Sequence, residues 1–328
     1  MISKLTVTAA AGPQSTPADY AVVLEISVFR DLLVHPDPPT RISALSLLVF
    51  DPSTTKFLPA PTLSLLKETL PFVHADNDPH SRGEFLSLLR KLLIRLRGGS
   101  TLSQKAPSAE VEKSHNDSKS FLSWYIDFLE GELHPCASYQ THITALKVLI
   151  LIIQSGVDAR LDASHLSRIG QDQQNWQYSL DIFRPCLFRA LGDLLSDAFD
   201  DVRASAFLLL RLFPVDFLKA ASNFLDTEQR ASLFSTFGRT LSRAEDMAAR
   251  TGRADHADTV ARLYHILFNL ESAPPKKYDI VDGLLAKLEQ HVSSSDETLR
   301  AALRSTPMHG HISSLRWAKK SSRQYHAN

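Results

Sequence analysis

Arg239, Arg243, Arg250 and Arg253 lie within fifteen residues of one another in GRTLSRAEDMAARTGR, and their type and spacing suit one kind of chemistry. A guanidinium is planar, always charged, and donates two parallel hydrogen bonds, so its natural ligand is a phosphate or a carboxylate. Arg250 and Arg253 flank Thr251-Gly252, which reads as a turn, so their heads can project from a helix junction. The same two side chains can instead cap the preceding helix or pair with Asp246 and Asp255. Both readings stay open on the sequence, and these four are the candidate RNA- or partner-binding residues.

Two further basic clusters accompany them. Arg82, Arg90, Lys91, Arg95 and Arg97 fall in or just before LLRKLLIRLR with only Glu84 opposing them, and Lys319, Lys320 and Arg323 lie near the end. On one face of a helical stack such groups can track phosphates; equally, they can form a solvated face with snorkelling stems. Aromatic residues do not interleave with them, so sequence-specific base reading is not expected.

Other chemistry finds little support. His309-Gly-His311 lacks a third ligand nearby, and Cys136 and Cys186 form neither CxxC nor a Cys/His zinc spacing; the cysteines read as small core residues. Neither GxGxxG nor GxxxxGK[ST] occurs, nor GxSxG or HExxH. No catalytic residue, metal, cofactor or small-molecule substrate is therefore expected. Lys plus Arg and Asp plus Glu both total 36, so net charge alone marks neither a nucleic-acid nor a membrane partner. No apolar window approaches the roughly 20 residues that span a bilayer, and no secretory leader opens the chain. A reducing, cytoplasmic setting and no membrane partner are expected.

These residues have to be positioned by helices. Only 12 glycines occur in 328 residues, and Leu-rich segments at helical spacing dominate, broken by Pro, Asp and Ser. The fold class read from this is all-α. One stretch, YQTHITALKVLILIIQSG (139–156), runs apolar from Val148 to Ile153 and must be covered by protein on most sides. Four segments share its pattern of a basic residue, a mostly small residue three later, and Leu four beyond. They are Arg41/Ala44/Leu48, Arg82/Phe85/Leu89, His142/Ala145/Leu149 and Arg203/Ala206/Leu210. Arg41 to Arg82 is 41 residues, a HEAT-like period; the next two intervals, 60 and 61, each contain a polar insertion of roughly 20. Stacked antiparallel helix pairs of a HEAT/armadillo-type α-solenoid explain both the spacing and the buried stretch.

The organisation expected is an irregular N-terminus over 1–18, helical repeats over 19–97, a flexible polar insertion over 98–120, and further repeats over 121–328 with an irregular connection near 157–178. Helices are expected near 19–34, 39–50, 60–73, 79–97, 121–133, 179–197, 200–213, 227–249, 255–271 and 277–292.

Within this frame, FLSWYIDFLEGELHPCASYQTHITALKVL resembles the THADA family of armadillo/HEAT-like proteins. The resemblance rests on Leu133, Pro135, Ala137, Ser138, Tyr139, Gln140, Ile143, Thr144, Ala145 and Leu146. ARTGRADHADTVARLYHIL (249–267) and PMHGHISSLRW (307–317) are similar to further stretches of that family. The resemblance implies an accessory subunit of an FtsJ-like 2′-O-methyltransferase. Its partner would hold S-adenosylmethionine and methylate a ribose in the tRNA anticodon loop, while the accessory protein presents the tRNA. The family's RRSAGLP-type motif and much of its length are absent, so a piece of a longer chain is expected. A HEAT-type adaptor that binds only proteins is the alternative.

Overall fold

Short turns rich in Pro, Asp and Ser cut the chain into helices, and each supplies the means to start the next one. The computed structural model describes residues 4–8, 21–51, 56–76, 78–105, 109–167, 176–214, 240–252 and 259–263. In chain order these form β1 (Lys4–Thr8), β2 (Ala21–Glu25), α1 (Ile26–Leu33), α2 (Pro38–Val49), α3 (Ala60–His74), α4 (Pro79–Lys105), α5 (Ala109–Gly131), α6 (Tyr139–Gln154), α7 (Pro185–Leu194) and α8 (Asp200–Leu212). A 3-10 turn at Ala163–His165 and helical residues 240–251 and 259–263 complete the set. The chain divides into two units, Met1–Leu187 and Phe188–Asn328.

In the first unit the helices form two layers. α1 packs on α3 and α3 on α5, while α2 packs on α4 and α4 on α6; α1–α2, α2–α3, α4–α5 and α5–α6 contacts join the layers. Alternate helices share a layer, which is the packing of an all-α helical-repeat stack. The motif register runs through the inner side of this packing: Ala44, Phe85 and Ala145 are buried, as are Leu48, Leu89 and Leu149. In the second unit Ala206 and Leu210 are buried in the same register. The cover for the apolar stretch comes from α3, α4 and α5, all of which touch α6. Val148, Leu149, Ile152 and Ile153 are buried there, and Lys147 keeps its head in water. At about 1.5–3 kcal/mol for each fully buried side chain, these four contribute on the order of 6–12 kcal/mol of apolar drive.

Several boundaries differ from those read in the sequence. Residues 4–8 pair with 21–25 as an antiparallel ribbon in the register Lys4↔Glu25 to Thr8↔Ala21, where an irregular start and then a helix were expected. KLTVT and AVVLE are rich in β-branched residues, which favour extended backbone. The polar stretch 98–120 is largely helical: α4 continues to Lys105 and α5 begins at Ala109. Gly98-Gly99 does not end α4, and the Phe57 ring packs against Gly99; a Cβ on Gly99 would sit 3.0 Å from a Phe57 ring carbon. Ser100 Oγ also donates to the Arg97 carbonyl at 2.6 Å. Glu110 and Glu112 sit in the first turn of α5, where negative charge opposes the helix dipole favourably. Residues 179–184 have no regular secondary structure where a helix was expected, and α7 starts only at Pro185, a residue suited to a helix's first turn. The expected helices near 277–292, and most of those near 227–249 and 255–271, lie outside the described residues.

His74 marks the centre of the first unit. It is fully buried, with Phe85 and Phe128 edge-on at 5.2 Å and its Nε2 2.7 Å from the Tyr125 hydroxyl. Burial lowers its pKa to about 3 and raises that of Tyr125. The imidazole is therefore neutral and works as a polar plug among aromatic rings.

Two outcomes follow from this packing. Ala145→Phe forces a ring into a position with no exposed surface and should lower stability by about 1–3 kcal/mol, read as a fall in melting temperature; an unchanged Tm would contradict the register. Because the folded pKa of His74 is depressed to about 3, the unfolded chain binds the proton first as pH falls below about 6.5. The stability His74 contributes is complete above that pH and declines below it. Between pH 6.5 and 5 the wild type should lose roughly 1.5 kcal/mol relative to the His74→Leu/Tyr125→Phe double variant in denaturant titrations.

Candidate functional site

The basic residues that open each motif do not reach outward. Arg41 donates to the carbonyls of His35 and Pro36 in the turn before its own helix, the latter at 2.9 Å. Arg203 does the same at the same offsets, to Asp197 O at 2.8 Å and Ala198 O at 3.2 Å. His142 reaches back through Nε2 to His134 O at 2.9 Å. Carbonyls stranded between antiparallel helices lack regular partners, and a buried one left unmade is costly. One side chain per turn satisfies them and fixes where the second helix starts.

The turns before Arg41, Arg82 and His142 also carry a side-chain cap, at a spacing of Asp/Ser-x-x-Thr/Ser immediately before the basic residue. Asp37 accepts from the Thr40 N–H at 3.1 Å, Asp78 from Ser81 at 2.7 Å, and Ser138 from Thr141 at 3.2 Å. Hydroxyls of Thr40 and Ser81 bond the same carboxylates, which holds Asp37 and Asp78 below the usual carboxylate range. Between consecutive turns, Arg41 also pairs with Asp76 at 2.6 Å with both groups about nine-tenths covered. Arg95 likewise points inward, donating to Leu48 O, Val49 O and Lys56 O at 3.1–3.2 Å. Arg82 and Arg97 are buried with it. Three members of the LLRKLLIRLR cluster therefore serve the fold, and only Arg90 and Lys91 face solvent.

The connection after α6 is organised by Asp158, which is 1 % exposed. Burial alone would raise its pKa, but it accepts from the Arg160 guanidinium at 2.7 Å and from the Ile182 N–H at 2.9 Å, and its pKa is lowered. Gly156 starts this connection at φ +80, a left-handed helix end that L side chains resist; a Cβ there would also meet Leu166 at 2.8 Å. Trp176 closes it by donating Nε1–H to Ser155 O at 3.0 Å.

In the second unit, helix 240–251 buries Thr240, Ala244 and Ala248 and exposes Arg243, Asp246 and Arg250 on the opposite face. Arg243 and Arg250 are two turns apart. Arg250 pairs with Asp246 at 2.7 Å, and both side chains are mostly exposed, at 77 % and 64 %. Such an exposed i,i+4 pair contributes only a few tenths of a kcal/mol and leaves the guanidinium available to a competing anion. Thr251-Gly252 forms the expected turn: Gly252 has φ +61 and its N–H donates to Ala248 O at 3.0 Å. The buried face of this helix meets the turn held by Arg203; Ala244 and Met247 line a cavity of about 10 Å³ with Asp197, Arg203 and Thr259, enough for one water. Arg239 and Arg253 lie outside the described residues, as do His309, His311, Lys319, Lys320 and Arg323.

Cys136 and Cys186 are exposed free thiols instead of core residues, because both fall at the edges of turns. Partial desolvation beside the Glu130 carboxylate pushes the Cys186 thiol up, which disfavours the nucleophilic thiolate. Among the described residues no three His, Cys, Asp or Glu side chains gather as a metal site. No described helix is long and apolar enough to cross a membrane.

A family model described as Trm732, TPR repeats matches residues 2–204. The tRNA (32-2′-O)-methyltransferase regulator trm732 of Schizosaccharomyces pombe is 23% identical over 305 residues, covering 90% of this chain and 19% of that protein. The tRNA (32-2′-O)-methyltransferase regulator THADA of Canis lupus familiaris is 24% identical over 320 residues, and that of Homo sapiens 23% over 318; each alignment covers 85% of this chain and 15% of the relative. The chain thus spans less than a fifth of the length of these curated relatives. No solved structure matches.

The turn clamp has a direct test. Arg41→Met keeps the stem but strands Asp76 and two carbonyls, and should destabilise the first unit by about 3 kcal/mol in chemical denaturation. Arg41→Lys should recover only part, since a lysine cannot fork between carboxylate and carbonyls.

Proposed function

The chain belongs to the family of Trm732 TPR repeats, and from that membership we propose that it is a non-catalytic helical-repeat scaffold supporting 2′-O-ribose methylation in the tRNA anticodon loop. The observation that carries this reading is the family match over residues 2–204, together with relatives named as regulators of a tRNA (32-2′-O)-methyltransferase. In this reading a partner methyltransferase of FtsJ-like type holds S-adenosylmethionine and transfers the methyl group in the cytoplasm. The repeat stack orients the tRNA. A rigid stack suits that task, because positioning a ribose hydroxyl against a methyl donor needs geometry held by packed elements, not by loops.

Arg239, Arg243, Arg250 and Arg253 are the residues assigned to phosphate in this proposal. The exposure of Arg243 and Arg250 on one helix face supports it. The ion pair of Arg250 with Asp246 favours a second reading, a HEAT-type adaptor without RNA contact in which these charges only solubilise the helix.

A gel shift of a tRNA transcript across a salt series separates the two. The scaffold reading expects affinity that falls with salt through several phosphate contacts. It also expects Arg250→Glu/Arg253→Glu to weaken binding at least tenfold and to make the salt slope shallower by about two, with little change in Tm. Loss of stability with affinity of the folded fraction retained would favour the adaptor.

A further inference from the structure

The two helix layers of the first unit differ in what they do with their cations. On α1, α3 and α5 the cations stand beside acids or a ring, although among the described residues Lys113 and Lys119 form no ion pair of their own. Arg30 pairs with Glu68 at 2.8 Å, and Lys67 lies over the Trp124 ring at 5.8 Å. Lys113 and Lys119 share α5 with Glu110, Glu112 and Asp117. The layer of α2, α4 and α6 is different. There Arg90 and Lys91 of α4 and Lys147 of α6 are exposed, and among the described residues none has an ion pair or hydrogen bond from its head group. The exposed acid of this face, Glu84, lies one to two turns before Arg90 and faces His80 at 3.6 Å.

The motif register brings these three cations together. Lys147 is five residues past His142, and Arg90 and Lys91 are eight and nine past the equivalent Arg82. At 1.5 Å per residue the offset along the helices is about 5 Å, and packed helix axes lie about 8–10 Å apart, so the three stems emerge within roughly 10–12 Å. The neighbouring arginines of the same helices, Arg82, Arg95 and Arg97, are buried, and Arg95 is committed to α2 carbonyls. Arg90, Lys91 and Lys147 hold nothing in the fold together.

We infer that the outer face of the α2–α4–α6 layer is a phosphate-tracking surface for the tRNA backbone, with Arg90, Lys91 and Lys147 as its contacts. The inference rests on the scaffold reading and adds to it a second RNA-facing surface, in the first unit. The occupant is a nucleic-acid strand because three close, uncompensated cations with no stacking ring among them fit a run of phosphates. Such contacts position the RNA without reading its bases.

The test uses the full chain and an unmodified tRNA transcript, with affinity measured at several salt concentrations. Arg90→Glu/Lys91→Glu/Lys147→Glu should raise Kd at least tenfold near 0.1 M salt and make the log–log salt slope shallower by about two to three. The neutral triple Arg90→Gln/Lys91→Gln/Lys147→Gln should show a smaller loss with an unchanged circular-dichroism spectrum, which separates contact from misfolding. Lys113→Glu/Lys119→Glu on α5 should bind like the wild type. If the wild type binds with the expected salt dependence while both triple variants keep its affinity and slope, the surface is overturned and the scaffold reading stands. Equal loss in the α5 variant, or preference for polyglutamate over tRNA, also overturns it. A wild type with no salt-dependent tRNA affinity removes the scaffold reading and this surface together.

Discussion

A hydrogen bond that runs backward along the chain governs this structure. The basic residue in the first turn of a helix donates to carbonyls five, six or eight residues earlier, in the turn that joins it to the preceding helix. Antiparallel helix pairs must strand such carbonyls at their tips, and apolar packing cannot satisfy them. With the turn pinned, the residue three positions on is aimed inward, where Ala44, Ala145 and Ala206 allow close approach. The Leu four further then enters the core. Arg41 extends the scheme sideways by reaching Asp76 in the next turn, so adjacent pairs are tied at their tips as well as through their layers.

This explains why the fold was legible in the sequence. The motif records the clamp, the contact residue and the core residue in order: all four copies bury the contact and core residues, and Arg41, His142 and Arg203 make the clamp. What stayed hidden depended on partners remote in sequence. Gly98-Gly99 reads as a break, yet the helix runs through it with Phe57, some forty residues earlier, packed against Gly99. The polar segment before Phe121 reads as a loop, yet a helix needs only one covered stripe, and Ser118 already belongs to it. The non-helical run at 179–184 is held at Ile182 and Phe183 by Asp158, more than twenty residues upstream.

The candidate site was less legible, for one electrostatic reason. Sequence shows where a cation is, not whether its charge is already spent. Arg82, Arg95 and Arg97 look like the densest basic patch in the chain and are buried. Arg250 was open to pairing with Asp246, as the helical spacing allows, and does pair, though in a setting exposed enough for an anion to compete. Sorting the described cations by burial and partner sets Arg82, Arg95 and Arg97 aside and keeps Arg90, Lys91, Lys147 and Arg243 among those facing solvent. Together with membership of the Trm732 family, those exposed cations are what the proposed role of holding RNA for a partner rests on.

The most direct measurement of that role is ribose methylation in a reconstituted mixture. A tRNA transcript, S-adenosylmethionine and the partner methyltransferase would be incubated with and without this chain, and methylation of the anticodon-loop ribose followed in time. The account predicts faster methylation when the chain is present, and none when the chain alone replaces the methyltransferase. An unchanged rate on adding the chain, or methyl transfer by the chain without its partner, would contradict it.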